Sequence, residues 1–146
     1  MRYYSTIIIS FFTLALVTSC SKNNSSNTPI VAATDTSFDP AKATLLKQGT
    51  FTGNMSYTVT GTVKLYEYQN KKYIYFQNFS SNNGPDLKVY VATNNAAAQF
   101  VSLGVLKGIS GTQAYEVTNP PDFAVYNKVL IWCQQFSVLF GTSTLQ

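Results

Sequence analysis

The chain of 146 residues contains no histidine. That excludes the Ser-His-Asp triad, His-ligated zinc and His-ligated haem, each of which needs an imidazole. Charge is scarce as well: Asp, Glu, Lys and Arg together make up 11% of the residues, against roughly 25% in ordinary domains. The lysines at 42, 47, 64, 71, 72, 88, 107 and 128 are dispersed, so the net charge of +4 forms no stripe that would track phosphates. No nucleic-acid partner is expected. Acidic residues such as Glu116 and Asp122 are too scattered for the converging oxygens of a calcium site, and no metal site is expected. Long apolar runs are missing too. The run over residues 7–17 falls well short of the ~20 residues that cross a bilayer. Cysteine occurs only twice, at Cys20 and Cys133.

What is present begins with an address. Met1-Arg2 gives a short positive start, and residues 7–17 form an apolar core of signal-peptide length. Val17-Thr18-Ser19-Cys20 then has the form of a bacterial lipobox. On that pattern residues 1–19 are a lipoprotein signal, and Cys20 is acylated and becomes the N-terminus. The bilayer is therefore the first expected partner, because several acyl chains on one residue anchor firmly at ~0.8 kcal/mol per buried CH2. Ser21, rather than Asp, follows the cysteine. The expected location is the bacterial cell envelope, at the outer membrane.

Residues 20–48 read as the lipidated end and a linker. Residues 21–29 are polar and have no periodic apolar face. Residues 41–46, after Asp39-Pro40, read either as a helical turn or as more linker. From Gly49 to Gln146 the pattern changes to short alternating runs separated by turn residues. Strands are expected over 59–65 and 72–76, joined by a hairpin tip at Gln69-Asn70-Lys71. Others are expected over 87–91, 101–106, 113–117, 129–133 and 136–142. Tyr66, Tyr68, Tyr73 and Tyr75 fall on one face of the first hairpin and Ile74 and Phe76 on the other. Aromatics are 14% of the chain, which suits a β-rich fold. The expected architecture is all-β: a single antiparallel β-sandwich or barrel-like domain.

Several motifs also resemble a known family. They are Gly84-Pro85-Asp86-Leu87-Lys88-Val89-Tyr90-Val91, then Leu103-Gly104-Val105-Leu106-Lys107-Gly108, then Gly111-Thr112-Gln113-Ala114-Tyr115, and finally residues 129–141 around Trp132-Cys133. In this order they resemble the DM-thirteen domain, found in bacterial lipoproteins and beside cytochrome-like domains in animal cell-surface proteins. The resemblance runs from about Phe51 to Leu145. It implies a β-rich electron-transfer domain centred on a family cysteine that corresponds to Cys133, acting as a bare thiol or as the ligand of a prosthetic group such as haem. One departure stands out: where many members carry a histidine, this sequence has Tyr57. No cytochrome-like domain accompanies the motifs, so a redox partner would be a separate protein.

With Cys20 lipidated, Cys133 has no intramolecular disulfide partner. Two readings of it stay open. Val129, Ile131 and Cys133 share one strand face, which suits a core residue that packs as a small hydrophobe. A redox thiol instead needs a second thiol or a cofactor and a nearby cation, for which Lys88, Lys107 and Lys128 are the candidates. The Cys-x-x-Cys-His attachment motif for haem is absent. Asp86, after Gly84-Pro85, is either a ligand or acid or else an Asx-type cap on its turn. Trp132 either lines a cofactor or sugar site or packs on the opposite strand face. Tyr115 is expected as a buried aromatic whose hydroxyl ties down a loop. The leading expectation is a membrane-anchored electron-transfer module, more a partner-dependent domain than a stand-alone enzyme. The alternative is a non-enzymatic binding or structural module whose tyrosine-rich hairpin face meets a glycan or protein.

Overall fold

The computed structural model describes residues 38–146. The stretch expected to be a signal peptide, Cys20 and the first part of the expected linker lie outside the described residues. Nine strands follow one another: β1 Thr44–Thr50, β2 Thr52–Gly53, β3 Val59–Tyr68, β4 Lys71–Ser81, β5 Leu87–Ala92, β6 Phe100–Val105, β7 Ser110–Val117, β8 Lys128–Cys133 and β9 Val138–Thr144. They form two antiparallel sheets, one ordered β1-β3-β4-β7 and the other β2-β9-β8-β5-β6. The two sheets pack face to face around one core. This is the expected all-β sandwich.

The alternating pattern explains most of it. In β3, Val59, Val63 and Leu65 are buried, and in β4 so are Ile74, Phe76 and Phe79. Their tip is a two-residue turn, with Tyr68 opposite Lys71 and positive φ at both Gln69 and Asn70. That geometry matches the right-handed twist of the strands it joins. On the other sheet, Val89 and Val91 of β5 face the core together with Val129, Ile131 and Cys133 of β8, and all five are fully buried.

Two expectations need correction. The folded part does not start at Gly49, because β1 begins at Thr44 and Phe38 is already buried. Residues 41–46 are neither a helical turn nor linker: 41–43 are turn and bend, and 44–46 already belong to β1. A bulge between Leu45 and Lys47 breaks the alternation of β1 and hides it from a period-two reading. The last strand starts at Val138 and not at Phe136. Gln134 to Ser137 form an exposed turn, Ser137 has φ 53° and Phe136 is 63% exposed.

The sheets also meet along one edge. Phe51 carries the chain from β1 in the first sheet to β2 in the second, and its N–H donates to the Gly61 carbonyl. Gln48 and Gln146 exchange backbone hydrogen bonds in both directions, which ties β1 to the chain beyond β9. Gly49 makes this closure possible. A Cβ there would overlap the Thr144 carbonyl oxygen, so any other residue would push the sheets apart.

Candidate functional site

Cys133 is the last residue of β8, a strand enclosed between β5 and β9. Its register partners are Leu87 on one side and Val138 on the other. It is 0% exposed and belongs to a cluster of aliphatic and aromatic side chains. Beyond it the chain enters the exposed turn 134–137, so the buried thiol sits one residue from a solvent-facing segment. The Gln134 N–H donates to the Asp86 carbonyl at 2.9 Å, which clamps the turn to the loop before β5.

None of the three candidate cations stands beside the sulfur. Lys88 pairs with Asp86 at 2.8 Å and lies opposite Trp132 in the ladder, on the face away from Cys133. The Lys107 ammonium donates to the Ala114 carbonyl and sits 5.1 Å above the centre of the Tyr115 ring. Lys128, at the far end of β8, donates to Thr144 Oγ1 at 2.6 Å. In this closed arrangement the thiol has neither the exposure nor the neighbouring cation that mark a reactive cysteine.

The other sequence-selected residues divide by face. Trp132 points outward and packs with Tyr90, Leu130 and Leu139, with its ring centre 6.4 Å from that of Tyr90. It neighbours Cys133 in sequence but not in the core. Asp86 forms an ion pair with Lys88. The side-chain cap in its loop comes from Asn83, whose Oδ1 accepts the Gly84 N–H at 2.9 Å. Asp86 approaches the cysteine only through its backbone, by way of Gln134. Tyr57, in the position where the family histidine is expected, stacks on Phe140 with centroids 3.8 Å apart.

Tyr115 lies in the same core on the opposite sheet and behaves as its sequence suggested. Its hydroxyl donates to Gln113 Oε1 at 2.6 Å and accepts the Lys107 N–H at 2.9 Å. Gln113 in turn donates to the Gly108 carbonyl at 2.6 Å. The turn between β6 and β7 is thereby tied to β7 by a chain of bonds. Burial pushes the Tyr115 phenol up to about 12, with the Lys107 N–H opposing the shift. Sequence reasoning missed Gln113 and the backbone of Lys107. The signal for Gln113 was its position two residues before Tyr115, on the same face of one strand.

A cleft of about 260 Å³ opens at this end of the sandwich, between the loop carrying Asn83 and Asp86 and the end of β6 at Val105 with the turn carrying Ile109. Leu87 forms part of its wall and separates it from the strand position of Cys133. A second cleft of about 480 Å³ is lined by Gln48, Gly49, Thr50, Thr62 and Gln146. Cys133 lines neither. A haem therefore does not fit against its sulfur in this arrangement. Among the described residues, no group of three or more Cys, Asp or Glu side chains is placed to hold a metal ion.

A two-sheet antiparallel domain with one free, buried thiol at the end of a central strand is the class these observations define. The family model for the electron transfer DM13 domain matches residues 50–145. The chain belongs to that family. No curated protein and no solved structure matches it.

Proposed function

We propose that the protein is a lipid-anchored envelope module that passes electrons to or from a separate protein, with the bare thiol of Cys133 as its redox centre. The family match across residues 50–145, which spans β2 to β9, is the observation that carries this reading. One thiol cannot cycle as a dithiol pair, so the step is exchange with a disulfide of the partner: the Cys133 thiolate attacks one partner sulfur to form a mixed disulfide, and the partner's other sulfur leaves as a thiolate. Cys133 at the mouth of the 134–137 turn suits that role. Local opening there would bare the sulfur without unfolding the sheets. The anchor is Cys20, and Ser21 after it favours the outer membrane.

A second reading is favoured by a specific observation. Cys133 is 0% exposed, and Lys88, Lys107 and Lys128 are each engaged elsewhere. On this reading the domain is a binding or structural module and the thiol is core. Reaction of the native protein with a thiol reagent decides between the two. Labelling of Cys133 well below the unfolding transition is expected for the redox centre. Inertness until global unfolding would leave only the structural module. An absorption spectrum of membrane-extracted protein, taken before and after dithionite, tests the prosthetic-group version. A reducible visible band lost in Cys133→Ser would overturn the bare-thiol proposal. Separately, Cys20→Ala is expected to move the protein to the soluble fraction, and retention in the membrane would refute the anchor.

A further inference from the structure

In a two-sheet sandwich the outer face of each sheet normally meets water and is polar. The outer face of the first sheet is not. It carries Tyr66 and Tyr68 from β3 and Tyr73 and Tyr75 from β4, and Tyr66 lies directly opposite Tyr73. The tyrosine-rich face expected to meet a glycan or protein is covered over Tyr66 and Tyr73, while Tyr68 and Tyr75 stay half-buried. Phe38 lies on it, 5% exposed, and beneath it Tyr73 is 2% and Tyr66 is 8% exposed. The Phe38 ring is stacked on Tyr73 with centroids 4.6 Å apart and meets Tyr68 edge-on at 5.8 Å. Tyr66 and Tyr75 close the other sides, each at 5.7 Å. All four distances fall in the range where aromatic pairs attract.

Phe38 reaches this place from outside the sheets. The hydrogen bonds of the turn that follows are internal to it: Lys42 N–H to the Asp39 carbonyl, Ala41 N–H to the Asp39 carboxylate, and the Lys42–Asp39 ion pair. The segment meets the tyrosines through Phe38 and, beside it, Ala43. It also precedes the family match, which begins at residue 50. The geometry points to a ring-binding site: we propose that the four tyrosines form a cage for a single aromatic ring on an extended chain. Phe38 is its intramolecular occupant, a latch between the N-terminal segment and the domain.

Being on the same chain, the latch has an effective concentration in the mM range, so even a weak ring site stays filled. Its release would free residues 38–43, up to the start of β1, and lengthen the reach of the N-terminal segment by roughly 20 Å at ~3.3–3.6 Å per residue. In an anchored protein this sets how far the domain can stand from the bilayer. Only that consequence rests on the anchoring reading proposed above. The cage itself is tested without lipid, so the two fail separately.

The test uses the full chain in detergent carrying Phe38→Ala, titrated with a synthetic peptide of residues 36–43 and followed by NMR. Saturable shifts at Tyr66 and Tyr73, at least tenfold weaker in the unsubstituted protein and absent with the Phe→Ala peptide, are expected. A folded variant that shows no shifts, or shifts equal to those of the unsubstituted protein, would overturn the cage. If the variant fails to fold, hydrogen exchange of the unsubstituted chain decides. The Lys42 amide is expected to exchange at least a hundredfold faster than the amides of Val63 and Ile74. Exchange at the same rate would mean that the segment opens only on global unfolding, and that no latch exists.

Discussion

The two halves of the single core treat their polar atoms in opposite ways. On the β7 side, Tyr115 and Gln113 are buried at 2% and 1% exposure, and their polar groups are bonded to each other and to the β6–β7 turn. On the β8–β9 side, Cys133 is surrounded by apolar side chains, and Ser143 Oγ is buried with no hydrogen-bond partner. A satisfied buried network fixes one arrangement and is costly to break in part. An unpartnered polar atom fixes nothing, and its removal relieves a desolvation penalty. The first half is therefore committed to holding a loop. The second is where substitution, and movement at the 134–137 turn, should be tolerated.

The largest expected effect breaks the comparison from the Tyr115 side. The folded state keeps the phenol proton up to about 12, where the unfolded chain releases it near the ordinary phenol value of 10.0. The folded state therefore binds more protons than the unfolded state over that interval, and stability falls as pH rises. The full contribution is present below pH 10 and is lost as pH passes through about 12. At ~1.4 kcal/mol per pKa unit it is about 3 kcal/mol. Tyr115→Phe removes this slope and leaves the Gln113 and Lys107 groups without their partner, at ~1–3 kcal/mol near neutral pH. Denaturant melts of both proteins from pH 8 to 12 check it. Parallel curves would mean that the hydroxyl carries no such linkage.

Cys133→Ser comes next. A hydroxyl placed among Leu87, Val138 and the rest of the apolar cluster finds no partner, and a loss of ~1–3 kcal/mol is expected by chemical denaturation. Cys133→Ala should lose less, since it buries no polar atom. If serine proved as stable as cysteine, the sulfur would already have a polar neighbour or access to water. That would strengthen the redox reading and erase the contrast between the two halves.

Much of this was legible in the sequence, because it depended on period-two patterns. Val129, Ile131 and Cys133 share the core face, and Trp132 faces the other way, as alternation requires. Tyr115 ties down a loop through its hydroxyl, as a buried phenol must if it is to keep a partner. What escaped depended on breaks in that pattern or on contacts distant in sequence. The bulge at Leu45/Lys47 concealed β1, and the positive φ of Ser137 ended a run that looks strand-like from Phe136 onward. Phe38 belongs to no strand, so no periodicity could place it on the tyrosines of β3 and β4. Asp86 suggests a turn cap or a ligand by its place after Gly84-Pro85, yet Lys88, the second residue of β5, takes its carboxylate.

Ser143→Ala is the smallest expected change and the sharpest test of the contrast. Ser143 pairs with Val129 in the β8–β9 ladder and faces the core, where β1 approaches so closely that a Cβ on Gly49 would lie 2.5 Å from its Oγ. The site has room for a small side chain only, which explains a serine or alanine there but not a valine. Between those two, the hydroxyl adds a buried oxygen with no partner, and packing needs nothing from it. Alanine should therefore be neutral or stabilising by up to ~1 kcal/mol, while valine should lose ~1–3 kcal/mol through overpacking. Equilibrium unfolding of the two variants separates these effects. A loss of more than ~1 kcal/mol in the alanine variant would mean that the hydroxyl holds a bound water at the seam between β1 and β9, and this half of the core would then be as fully paired as the Tyr115 half.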